Sequence, residues 1–129
     1  MPQTSPQPSP LLFFETIRAH ERTAALKTAI ELDLFTAIAE GNASAEAAAR
    51  RCKASERGTR ILCDFLVVIG FLTKDSGHYG LTPDSAVFLD RRSPAYIGAA
   101  VEFLGCPAQH ESFARLTKAV RKGGTAVSA

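Results

Sequence analysis

From Leu11 to Glu40 the apolar positions Phe14, Ile17 and Ala24, then Leu26, Ile30, Leu34 and Ile38, fall mostly at helical steps. This spacing predicts a long amphipathic helix, interrupted near Asp33, and a short second one closed by Gly41-Asn42. The start is unusual: Leu11, Leu12, Phe13 and Phe14 make an apolar cluster wider than one buried stripe needs. Such a cluster implies a further surface to cover it.

Ser44 is placed to cap a short Ala-rich helix, AEAAARRC, with Glu46 near its positive end and Arg50 and Arg51 near its negative end. Ser55 similarly opens ERGTRILCDFLVVI, in which Ile61, Leu62, Phe65, Leu66 and Ile69 are expected to form a broad buried face before Gly70 ends the helix. Next, Phe71-Leu72-Thr73 and Tyr79-Gly80-Leu81 read as short strands around a polar loop, Lys74 to His78. Helix, turn, helix, hairpin is the winged-helix order, and so small a hairpin must pack on the helices to persist.

Beyond the hairpin, Thr82-Pro83 predicts a cap and first helical residue for DSAVFLD, and Ser93-Pro94 repeats the device for AYIGAAVEFL. Gly105-Cys106-Pro107 breaks that run. AQHESFARLTKAVRK then reads as one amphipathic helix with Phe113, Leu116 and Val120 on one side, ended by Gly123-Gly124. The fold class expected is mostly α: a winged-helix-like helical domain over residues 11–123 with one small β-hairpin. Residues 1–10, rich in Pro, Ser and Gln, read as a disordered tail, and 124–129 as a flexible end.

Composition narrows the class without naming a partner. The chain has 129 residues, 46% hydrophobic and 22% charged, which is one domain's worth of ordinary globular sequence. The opening MPQTSPQPSP lacks the basic and apolar regions of a secretory signal, and no long apolar run suggests a membrane span, so a cytoplasmic location is expected. Three cysteines, Cys52, Cys63 and Cys106, then read as reduced thiols. The net charge of +2 falls well short of the basic footprint of a nucleic-acid domain.

Chemistry-bearing patterns are sparse. The nine glycines never form G-x-G, so no phosphate or dinucleotide loop is indicated and no cofactor is expected in this chain. Cys106 and His110 stand one turn apart, but two ligands do not make a metal site, and His110-Glu111-Ser112 point in different directions on a helix. No catalytic residue is assigned. Arg57, Arg60 and Asp64 share the face of the helix that would read DNA in a regulator, which makes Arg57 and Arg60 the contacts of an alternative, DNA-binding reading. Glu56, Asp64 and Asp75 make that surface mixed in sign, which argues against nucleic acid. Arg115, Lys118, Arg121 and Lys122 read as a solvated cationic face.

Taken together, FFETIRAHERTAALKTAIELDLFTAI, ASAEAAARRCKASERGTRILCDFLVVIGFL and GHYGLTPDSAVFL resemble the dimerisation domain found N-terminally in small-molecule O-methyltransferases dependent on S-adenosylmethionine. The resemblance implies an intertwined homodimer, with the cofactor and catalytic base on a separate Rossmann-like domain that this chain stops short of. On that reading the chain is not catalytic alone, and S-adenosylmethionine enters only if a catalytic methyltransferase domain is supplied. The resemblance further implies a dimer interface at Leu12, Phe13, Phe14, Ile17 and His20, and an acceptor-pocket lining at Phe103, Leu104 and Phe113. The rival reading is a small winged-helix transcriptional regulator.

Overall fold

The structure, a computed structural model, describes residues 7–104 and 106–124. Most of the expected tail (1–6) and most of the expected flexible end (125–129) therefore lie outside the described residues.

The expected long first helix is two: α1 (Leu11–Ile17) and α2 (Ala19–Glu31), separated by Arg18 alone. The reason is a side chain. The ring Nδ1–H of His20 donates to the Ile17 carbonyl at 2.8 Å, and the Glu21 N–H turns instead to the Arg18 carbonyl at 2.9 Å. Arg18 nevertheless keeps right-handed torsions (φ −88, ψ −1), so helical turn counting carries across the joint. At Asp33 the break is sharper: φ is 60, in the left-handed region, before α3 (Leu34–Ala39) begins.

Both serine caps form as expected. Ser44 Oγ accepts from the Ala47 N–H at 3.0 Å to open α4 (Ala45–Cys52), and Ser55 Oγ accepts from Gly58 at 2.9 Å to open α5 (Glu56–Val68). The end of α5 is a Schellman motif. Gly70 takes φ +97, the Phe71 N–H reaches the Leu66 carbonyl at 2.8 Å, and the Gly70 N–H reaches Val67 at 3.2 Å.

The hairpin is tighter than its composition suggests. β1 (Leu72–Asp75) and β2 (His78–Leu81) pair antiparallel with Leu72 opposite Leu81 and Asp75 opposite His78. Three residues expected in the loop, Lys74, Asp75 and His78, thus join the ladder. Ser76 (φ 51) and Gly77 (φ 79) alone make the turn, both left-handed as a two-residue hairpin of matching twist requires. The Tyr79 N–H donates to the Ala43 carbonyl at 2.7 Å, fastening the wing to the α3–α4 connection.

In α6 (Pro83–Phe88), Thr82 has the extended backbone of a cap, yet its hydroxyl donates to the Phe71 carbonyl at 3.2 Å instead of capping. The helix expected from Ser93-Pro94 is mostly absent: residues 91–99 run as turns, and only α7 (Ala100–Leu104) is helical. Ser93 Oγ donates to the Val87 carbonyl (2.6 Å) and the Ile97 N–H to the Phe88 carbonyl (2.9 Å), which folds the segment back on the end of α6. The last expected helix divides at Arg115 into α8 (Pro107–Ala114) and α9 (Leu116–Lys122), neither of which buries a residue.

The core lies where α3, α4, α5 and the hairpin meet, around Leu34, Phe35, Ala48, Cys63, Leu66 and Leu72. Phe71 meets Phe35 edge-on, 6.2 Å between ring centres. The elements at either end of the chain, α1, α8 and α9, stay largely outside this core.

Candidate dimerisation surface

Among the described residues, the apolar side chains left uncovered include a stripe on α1 and a second on α5. On α1, Leu12 is 76% exposed and Phe14 49%, with Leu11, Phe13 and Ile17 between these limits. The second stripe was missed from sequence: Ile61 (61%) and Val68 (81%) on α5 face outward, so the expected buried face of α5 is narrower than predicted. Leu66 is buried, while Leu62, Phe65 and Ile69 are only half-buried. The signal was available, because eight of the nine residues Ile61 to Ile69 are apolar, more than one helix face can bury against a core.

These stripes border a groove between the α1–α2 arm and α5. At one end, a cavity of about 230 Å³ lies between Phe14 and Arg18 on the arm and Phe65, Val68 and Ile69 on α5. Midway, a recess of about 340 Å³ opens over Ala25 and Glu21, walled by Ile61, Leu62 and Phe65. Further on, Thr28 and Leu32 face Gly58 and Thr59 across about 250 Å³. Residues Leu12, Phe13, Phe14, Ile17 and His20 are all exposed on the arm. Exposed apolar area on this scale is a liability in a monomer and ordinary in a subunit.

The alternative DNA-facing residues sit in a different setting. Arg60 is held by Glu56 at 2.7 Å, and Lys74 on the wing by Asp64 at 2.8 Å. Tyr79 donates its hydroxyl to the same Asp64 oxygen at 2.6 Å. The Lys74 and Tyr79 hydrogen bonds hold the Asp64 carboxyl below its ordinary value, so Lys74 faces a carboxylate that remains charged. Arg57 is exposed on the same helix. Of the residues expected near an acceptor pocket, Phe113 is exposed on α8, and the side chains of Phe103 and Leu104 lie outside what the structure describes.

Gly41, Gly70, Gly77 and Gly123 all serve helix ends or the hairpin turn, and the cavity of about 340 Å³ between α2 and α7 is lined by Leu26, Ile30, Leu89, Ile97 and Val101 with Thr23 as its one polar side chain. Among the described residues no group of three His, Cys, Asp or Glu side chains could hold a metal.

The family profile of the O-methyltransferase dimerisation domain matches residues 14–91. The chain belongs to that family. Among curated relatives, the dimerisation domain is 36% identical over 100 residues to the tetracenomycin polyketide synthesis 8-O-methyl transferase of Streptomyces glaucescens, covering 77% of this chain and 29% of the relative. Among solved structures, it superposes on an O-methyltransferase from Nostoc punctiforme with a TM-score of 0.91 and 54% identity, over 95% of this chain and 37% of the other. It superposes on human N-acetylserotonin methyltransferase, solved with S-adenosylmethionine, with a TM-score of 0.79 and 25% identity, over 94% and 36%. The domain thus spans about a third of the length of the methyltransferases it matches, and the mostly helical, winged-helix-like architecture is theirs.

Proposed function

We propose that this dimerisation domain joins two copies of its own chain through the α1–α2 arm, with Leu12, Phe13, Phe14, Ile17 and His20 in the interface. The observation that carries this reading is the uncovered apolar arm bordering an open groove on α5. Burying about 800 Å² per partner is ordinary for a stable pair, and an arm of about 30 Å in length offers a strip of that order when its neighbour α5 is included. Cofactor binding and methyl transfer belong, on this reading, to a catalytic domain outside the matched residues, since the chain spans about a third of the methyltransferases it matches. Phe113, with Phe103 and Leu104, is proposed to face that domain's acceptor pocket.

Size-exclusion chromatography with light scattering tests the reading. A dimer is expected at tens of micromolar, and a clean monomer there would overturn it. Phe14→Asp places a charge in a desolvated contact and is expected to weaken association at least tenfold, whereas Arg57→Ala leaves it unchanged. Equal losses from both substitutions would place the interface elsewhere. The purified chain with S-adenosylmethionine and a phenolic acceptor is expected to show no turnover.

A further inference from the structure

Four charges on the arm, Glu15, Arg18, Glu21 and Arg22, border the groove, and all are exposed. Elsewhere on the helices, some comparable charges close i,i+4 pairs: Lys27 with Glu31 at 3.9 Å, Arg50 with Glu46 at 2.9 Å, Arg60 with Glu56 at 2.7 Å. Among the described residues, none of the four arm charges enters an ion pair within the chain. Their order along the arm is minus, plus, minus, plus. A parallel copy sets each against itself, like on like. An antiparallel copy sets Arg18 opposite Glu21 of the second chain, a pair formed twice by the two-fold axis.

The same register does something for the apolar groups. If Arg18 meets Glu21, then Phe14 of one copy meets Ala25 of the other, since both pairs share one midpoint. Ala25 is the floor of the recess of about 340 Å³ walled by Ile61, Leu62 and Phe65. A small residue on the arm thus leaves a hole where an exposed phenyl ring arrives, and Phe14 is available because the core leaves it half uncovered.

We propose that the two chains pack arm against arm in antiparallel fashion, with Phe14 of each seated in the Ala25 recess of the other and Arg18 paired with Glu21 across the axis. This rests on the dimer reading above and specifies its register. The test is a charge exchange on exposed positions, followed by light scattering and a subunit-mixing assay at low salt. Arg18→Glu alone and Glu21→Arg alone are each expected to weaken the dimer about tenfold, because each creates two like-charge contacts. The double variant, R18E with E21R, is expected to recover wild-type affinity. Mixing the two single variants is expected to give mainly the heterodimer, in which both pairs are again opposite in sign.

Single variants that dimerise like wild type, a double variant as weak as the singles, or a statistical mixture of species would overturn the register while leaving the dimer reading intact. A monomeric wild type would overturn both. Ala25→Leu, which fills the recess with circular dichroism used to check the fold, is expected to weaken the dimer without altering the charge-exchange pattern. An unaffected dimer in that variant would remove Phe14 from the recess.

Discussion

Asp64 stands where α5 meets the wing, and one of its oxygens takes both the Tyr79 hydroxyl and the Lys74 ammonium. The bond to Lys74 is the main cause of its lowered pKa, with Tyr79 second. A carboxylate whose folded pKa is depressed contributes stability that is fully present above its unfolded value, about 3.9, and is lost as pH falls through the folded one. Asp64→Asn is therefore expected to lower the urea midpoint at pH 7, and the gap from wild type should close as pH drops below 4. A gap of constant width from pH 7 to pH 2 would mean that the charge contributes nothing. Deeper in, burial pushes the Cys63 thiol up to about 12, so this side chain works as a neutral packing group between α5 and its neighbours.

Among the elements, α5 carries the most. Its inner face supplies Leu66, fully buried, and its outer face supplies the groove wall. Leu66→Ala is expected to cost about 2–5 kcal/mol of unfolding free energy, read from chemical denaturation, and a loss below about 1 kcal/mol would show that the core closes over the gap. The helix starts at Ser44 and Ser55 were legible because a cap is a local device: one hydroxyl satisfies an amide two or three residues on. Ser93-Pro94 carries the same local signal and fails, because the Phe88 and Val87 carbonyls capture Ile97 and Ser93 from outside the segment. The hairpin was visible, but its register was not, since the two-residue turn at Ser76-Gly77 depends on torsions that the polar composition of the loop leaves open. The outward side chains Ile61 and Val68 were missed for a related reason: periodicity marks apolar positions, and the surplus on α5 has to be counted separately against what one face can bury.

For the whole molecule, the apolar surface left on α1, α5, α8 and α9 ties stability to association. Anything that binds the folded chain raises its apparent stability by mass action, and here the ligand is another copy. A 100-fold rise in protein concentration is worth about 2.7 kcal/mol to a dimer, so the melting temperature should climb by a few degrees over that range. Phe14→Asp should flatten the climb, and a wild-type melting temperature independent of concentration would show that folding and pairing are separate. The surplus of apolar side chains on α1, from Leu11 to Ile17, was legible in the sequence. The groove beside it on α5 required the fold, because its walls come from two segments more than twenty residues apart.

The left-handed turn at Asp33 acquires a second meaning in this setting. Its carboxylate is clasped by the Arg91 guanidinium, and the Arg91 N–H donates to Thr36 Oγ1 at 3.0 Å, so the elbow between α2 and α3 is braced from the far side of the chain. The arm is a lever with its fulcrum at that elbow. A degree or two of play there would be magnified along about 30 Å into a displacement of about 0.5–1 Å at Phe14. On the dimer reading proposed above, Asp33, Thr36 and Arg91 thus aim the Phe14 ring at the second copy.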